Sequence, residues 1–117
     1  IVNYNEKNAE QAIKYFRKAL EIKADYPQAN WMLANSLLLK DEELVEKMNA
    51  LPPSDMKNYD KFEKKRKELF KTILPVLSKA DTAERTAGTV RMLIGVYEQL
   101  EMTDKSDELR KVLKTLQ

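Results

Sequence analysis

The chain contains no cysteine and no histidine. Without cysteine it forms no disulfide and offers no thiolate to a metal or a nucleophilic mechanism, whatever its compartment. Without histidine it loses the usual nucleophile–base pairs and most transition-metal sites. Only two of its 117 residues are glycine, Gly88 and Gly95, so no glycine-rich loop is available to cradle a phosphate. No apolar run approaches the roughly 18 residues that would span a bilayer. The N-terminal IVNYNEKN has no basic stretch followed by an apolar core, so no signal peptide is read there. Charge of one sign is also lacking. With 21 Lys and Arg against 19 Asp and Glu the net charge is +2, too small by itself to imply a nucleic-acid or membrane partner. Strand formers are sparse, and no stretch alternates apolar and polar residues for long.

What remains is helical. A hydrophobic content of 43%, a charged content of 34% and so few glycines imply a soluble all-α domain. Ile1 and Val2 read as the end of a preceding helix, with Asn3 to Lys7 as a connecting turn, so further chain is expected before Ile1. Asn8, with Gln11 three residues on, predicts the start of a first helix whose apolar face is Ala12, Ile13, Phe16, Ala19 and Leu20. That helix should stop before Pro27, which suits the first position of the next one. The second helix meets no breaker until Leu51-Pro52-Pro53, a length of about 24 residues or 36 Å. Trp31, Ala34, Leu38, Val45 and Met48 mark its apolar stripe, with Leu37, Leu44 and Leu51 beside it.

Ser54 or Asp55 then caps a third helix carrying Tyr59, Phe62, Leu69, Phe70, Ile73, Leu74 and Leu77, with Pro75 expected to kink or break it. Folded back on the second helix, it sets Lys64, Lys65 and Arg66 opposite Asp41, Glu42 and Glu43. That charge match predicts the register of a long antiparallel hairpin. Asp81 with Glu84 reads as a capping box for a fourth helix bearing Val90, Leu93, Ile94, Tyr97 and Leu100. Thr103 or Asp104 opens a fifth, with Leu109, Val112, Leu113 and Leu116 on its apolar side.

Helix pairs in succession prompt a test for internal repeats. Ala12-x3-Phe16-x2-Ala19 matches a small–bulky–small signature letter for letter, and Ile73-x3-Leu77-x2-Ala80 and Ser106-x3-Arg110-x2-Leu113 keep its spacing. Trp31-x2-Ala34-Asn35-x2-Leu38 keeps the spacing of W-x2-L-G-x2-Y with three of four residues replaced, and Leu93 and Tyr97 occupy matching places later. In these features the chain resembles the tetratricopeptide repeat (TPR) family, of the bacterial type with one elongated hairpin. The resemblance implies an all-α fold, a right-handed α-α superhelix of TPR-like helix pairs with five helices and a lengthened middle hairpin. The parts would be 1–26, the second half of a truncated repeat; 27–80, the elongated repeat; and 81–117, the final one.

The resemblance also implies a non-catalytic scaffold that binds a peptide or protein along the concave face lined by the first helix of each pair, or through the long hairpin. Mapped through the matched signatures, the groove residues are Met32, Ser36, Leu39 and Lys40, then Arg91, Gly95, Glu98 and Gln99. Met32 and Ser36 stand where a carboxylate-clamping member of the family carries Lys and Asn, so binding of C-terminal chaperone tails is not expected. No enzyme, cofactor or metal is read from the residues, because the carboxylates lie among lysines on polar helix faces. The basic segment Lys61 to Lys71 contains Glu63 and Glu68 and faces an acidic arm, so it is read as hairpin surface rather than a nucleic-acid site. Trp31 is read as core. Gly88 and Gly95, seven residues apart on one helix face, are read as a close helix–helix approach, with room for a ligand on the groove side as the alternative. Two other readings stand beside the scaffold: self-association through the hairpin or the N-terminal helix edge, and service as an accessory segment of a larger enzyme. The compartment is not legible in the sequence.

Overall fold

Prolines and one aspartate divide the chain into its helices. Pro27 occupies the first turn of a helix, and Pro52 and Pro53 fill the turn that follows it. Asp55 then caps the next helix by accepting a hydrogen bond from the Asn58 backbone N–H at 3.3 Å. The computed structural model describes residues 6–116 as five α-helices: α1 (Glu6–Ile22), α2 (Pro27–Asn49), α3 (Met56–Ala83), α4 (Ala87–Gln99) and α5 (Thr103–Leu116). No strand occurs among the described residues. Each helix packs principally on its neighbours in sequence, α1 on α2, α2 on α3, α3 on α4 and α4 on α5.

Three expectations about helix ends change. Glu6 and Lys7 already belong to α1, so Asn8 is inside the helix rather than its cap, while the reading of Ile1 and Val2 lies outside the described residues. α3 runs unbroken through Pro75. A mid-helix proline forfeits one backbone hydrogen bond and costs about 3 kcal/mol. Pro75 and Lys71 are both exposed, so the Lys71 carbonyl that loses its partner faces water. The third change is at Asp81, which does not open α4: it lies in the last turn of α3, nearly buried. A carboxylate is unfavourable at a helix C-terminus unless paired. Arg85 supplies the pair, donating from Nη2 at 2.7 Å, and the Thr89 hydroxyl donates at 3.2 Å. Those bonds raise the Arg85 pKa, first through the hydrogen bond to Asp81, while slight burial opposes the shift. The cap of α4 is instead Thr86, whose hydroxyl and that of Thr89 bond reciprocally to each other's backbone N–H. α3 therefore ends at Ala83 and α4 begins at Ala87.

The turns are tied by side chains as well as backbone. Asn30, nearly buried, donates its amide N–H to the carbonyls of Ala24 and Tyr26 and so holds the α1–α2 turn closed. After α4, the Met102 N–H reaches back to the Tyr97 carbonyl at 2.8 Å and the Glu101 N–H to Glu98 at 3.0 Å. That is a Schellman ending, and it puts Glu101 at φ 60, a left-handed position usually filled by glycine.

The core joins Ile13 of α1, Leu33, Ala34 and Leu37 of α2, Phe70, Ile73 and Leu77 of α3, and Leu93 and Val96 of α4. Trp31 packs partly buried against it, as expected for a core residue. In α3 no residue before Phe70 is buried, and Tyr59, read as apolar face, is exposed. In α2 only Met48 is buried beyond Asp41. Residues 42–68 therefore form a two-helix arm beyond the main core cluster, with Met48 the one buried residue among those described in that span. The arm accounts for a radius of gyration of 15.3 Å, against about 13 Å for a rounded chain of this length.

At the arm's base the expected charge match takes one definite form. Arg66 Nε donates to Asp41 Oδ1 at 2.6 Å and Nη2 to Oδ2 at 3.1 Å, a bidentate pair. Both side chains are largely covered, and the guanidinium also lies 5.6 Å from the centre of the Phe70 ring. The hydrogen bonds to Asp41 raise the Arg66 pKa against the opposing effect of burial. Glu43 pairs within its own helix, with Lys47 at 3.6 Å. Removing only the acid leaves a covered cation without a partner. Asp41→Ala should therefore cost about 1.5–3 kcal/mol in urea unfolding, whereas the double variant Asp41→Leu/Arg66→Met should return to within about 1 kcal/mol of the parent. A single variant as stable as the parent would contradict this role.

Candidate functional site

The residues expected along the groove form two groups, and their placement follows from how α2 and α4 each pack on α3. Arg91, Gly95, Glu98 and Gln99 recur at helical spacing and are all exposed, a stripe along one side of α4. At the N-terminal end of that stripe, a Cβ added to Gly88 would sit 3.6 Å from the Trp31 ring of α2. At its C-terminal end, Glu98 and Gln99 share a small hollow of about 220 Å³ with Glu63, Arg66 and Phe70 of α3. Trp31 is in the second turn of α2, and Arg66 is bonded to Asp41, ten residues further along α2. α4 thus points the same way as α2, both packing on α3.

The two glycines have different surroundings. Around Gly88 the contacts are of ordinary van der Waals length, to Trp31 and to the Thr86 hydroxyl, so the close approach expected there is not tight enough to require glycine. Around Gly95 nothing lies within 4 Å of an added Cβ. The expectation of helix–helix contact at Gly95 is therefore corrected: that glycine leaves the α4 backbone open to solvent.

The α2 group divides. Met32 is half-buried and lines a cleft of about 390 Å³ with Trp31, Ala29 and Gln28 of α2, Tyr26 of the turn, and Tyr15, Phe16 and Ala19 of α1. Ser36 is fully buried, and its hydroxyl donates to the Met32 carbonyl at 2.9 Å. It faces the protein interior and leaves the groove set. Leu39 is half-buried. Lys40 donates to Glu10 of α1 at 2.7 Å and borders a mixed-charge hollow of about 470 Å³ with Glu43, Lys47, Lys65 and Glu68. On α4, Glu98 pairs with Arg110 of α5, which also holds Asp107 at 2.7 Å. Met32 thus sits at the aromatic cleft and Arg91, Gly95 and Gln99 on the open stripe, while Lys40 and Glu98 already have partners.

The aromatic cleft was not legible as a site. Tyr15 is 69% exposed and stands edge-on to Phe16, with ring centroids 5.3 Å apart. Tyr26 forms the rim, its hydroxyl donating to the Gln28 side-chain Oε1 at 3.4 Å and its ring centre 5.9 Å from the Lys23 ammonium. The available signal was Tyr15 itself, an aromatic residue on the face of α1 that otherwise carries Lys14, Arg17 and Lys18. Its lining offers rings, an amide and phenols, and no carboxylate or amine, so the cleft suits stacking and hydrogen bonding rather than proton transfer. Among the described residues no group of three or more Asp or Glu is placed to hold a metal ion. A larger hollow, about 690 Å³, separates the α1–α2 turn from the end of α3 and is lined by Lys23, Asp25, Ser78, Lys79 and Thr82 among others. None of the expected groove residues borders it.

No family model, characterised protein or solved structure compared with this chain matches it.

The Glu10–Lys40 pair joins α1 to α2 at the surface and has a pH signature. The hydrogen bond from Lys40 and then its charge hold the Glu10 carboxyl below its ordinary value of 4.5, with a smaller contribution from Lys14. A carboxyl lowered in the folded state stabilises fully above the unfolded value, and that contribution is lost as pH falls through the folded one. In thermal melts, Glu10→Gln should therefore lower the midpoint slightly at pH 7, and the difference should vanish well below pH 4.5. A difference that persists in acid would show that the pair is not its source.

Proposed function

We propose that this chain is a non-catalytic protein–protein interaction scaffold of tetratricopeptide type. Its helix pairs stack in a right-handed superhelix, and an extended peptide lies across the face formed by α2 and α4. The observation that carries the reading is the parallel placement of those two helices, with Trp31 against Gly88 at one end and the open Gly95 backbone beyond it. First helices of successive pairs lie side by side in such a stack, and their outer faces line its binding surface. Burial at part of the signature supports the same reading. Ala34 and Leu93 in the first helices, and Ile73, Leu77, Ala80 and Ser106 in the second helices, are buried, while Ala12, Phe16 and Ala19 are half-buried and Arg110 is exposed. The aromatic cleft at Met32 gives one end of the peptide an apolar anchor, and the Arg91–Gln99 stripe gives the rest polar contacts.

Selection of peptides from a random display library on the full chain tests this. Selected peptides should lose at least tenfold in affinity on Met32→Glu and again on Gly95→Glu, both at positions where the fold has room. Unchanged affinity in both variants would reject the assigned face.

Self-association is the second reading, favoured by one observation. Ile22, seven residues after Tyr15 and so on the same side of α1, is 89% exposed, and Tyr15 is exposed as well. Light scattering across a concentration series separates the two, because a strict monomer leaves that side without a second copy.

A further inference from the structure

We propose that the tip of the α2–α3 arm is a contact site for an anionic lipid bilayer. The proposal is independent of the peptide face, which lies at the other end of α2 and along α4. It begins from the arm's geometry. The first buried residue of α3 is Phe70, about 20 Å along the helix from Met56. The tip is thus carried clear of the core.

Its surface combines two features that a membrane interface selects together. The first is a lysine face. Lys57, Lys61 and Lys64 share one side of α3, with Lys65 and Lys67 flanking them, and all five are exposed. None of the five makes an ion pair among the described residues, whereas Arg66 turns inward to Asp41. Residues 52–67 carry six basic and three acidic side chains. Of the acids, Asp55 is engaged in capping α3, Glu63 is half-buried and Asp60 is exposed. On the opposite strut, Glu42 and Glu46 are exposed and make no ion pair with the lysines. Lys65 borders a hollow with Glu43 and Glu68, and Lys67 one with Glu63, Glu98 and Glu101, so the charge offered outward is chiefly that of Lys57, Lys61 and Lys64.

The second feature is apolar. Met56 is 59% exposed and Tyr59 41%, in the first turn of α3, and Pro52 and Pro53 beside them are exposed as well. Lys65 holds its ammonium over the Phe62 ring, 5.6 Å from its centre. An anionic bilayer attracts the lysines to its headgroups and accepts a methionine and a tyrosine at the acyl boundary, where a phenol is well placed. A nucleic acid would use the charge but not Met56, and Asp60 lies within its reach.

Each lysine near an anionic surface contributes about a fivefold gain in partitioning, so three contribute roughly a hundredfold. The test is co-sedimentation of the full chain with vesicles of phosphatidylcholine alone or with about one-third phosphatidylserine. The expected result is binding only to the serine-containing vesicles, weakening as salt shortens the electrostatic range. Lys57→Gln/Lys61→Gln/Lys64→Gln should lose about a hundredfold. Met56→Ser/Tyr59→Ser should also bind more weakly, most visibly at high salt. All these positions are exposed, and an unchanged helical circular-dichroism spectrum checks the fold. Equal binding to both vesicle types, no binding at low salt, or a triple-glutamine variant that binds like the parent would overturn the proposal. So would tighter binding to an oligonucleotide duplex or polyglutamate combined with no effect of the Met56/Tyr59 variant, since the site would then read charge alone.

Discussion

The structure depends on the C-terminal half of α3 being packed from two sides at once. Ile73 and Leu77 are fully inaccessible because α2 covers one flank and α4 the other. Truncating either to a smaller side chain would open a cavity costing about 2–5 kcal/mol. α2 and α4 are also covered on two sides, by α1 and α3 and by α3 and α5, whereas the end helices α1 and α5 each have one principal neighbour. α1 contributes Ala9 and Ile13 from one side, while α5 buries only Ser106 completely and leaves Leu116 exposed. Stability therefore decreases outward from α3 along the stack. This is the behaviour of an assembly whose units bury their apolar faces mainly against neighbours.

From that base the arm departs where the core runs out. Phe70 is the last buried apolar residue of α3 on the way to the tip, and its ring lies beneath the Arg66 guanidinium. The Asp41–Arg66 pair thus marks the transition from apolar core to solvated hairpin. Covered ion pairs add little net stability compared with a well-packed apolar substitute, and their best-attested use is to fix a register. Here the register matters because it sets which side chains stand at the tip and which border the groove. A one-residue slip along either strut would turn Lys57, Lys61 and Lys64 away from the side they now share.

Much of this was legible in residues. Pro27, the Pro52-Pro53 pair and Asp55 act locally, through a missing N–H or a short side chain, so they locate helix ends directly. The apolar spacing of Ile73, Leu77 and Ala80 and the acid–base match at Asp41 and Arg66 also translate into burial and contact. The failures had long-range causes. Asp81 and Glu84 have capping-box spacing, but Asp81 is used as an acceptor for Arg85 and Thr89, so α3 continues to Ala83. Pro75 is tolerated because its side of α3 faces solvent. Ser36 fell on the expected groove face by spacing, yet its small hydroxyl satisfies itself on the Met32 carbonyl and is buried. The aromatic cleft was illegible because Tyr15 and Met32 are separated in sequence and joined only by the angle at which α1 meets α2.

The aromatic cleft with the α4 stripe and the arm tip give the molecule two regions of different chemistry, one aromatic with an open backbone, the other basic and apolar. The account rests on the claim that order is centred on α3 and falls away along the arm. Native-state hydrogen exchange resolved by residue tests that claim most directly. The account predicts the slowest exchange at Leu33–Leu37, Ile73–Ala80 and Val90–Val96, with opening free energies near that of global unfolding. Residues 42–68 should exchange faster, more so toward Pro52. An arm tip protected as strongly as Ile73 and Leu77 would contradict it.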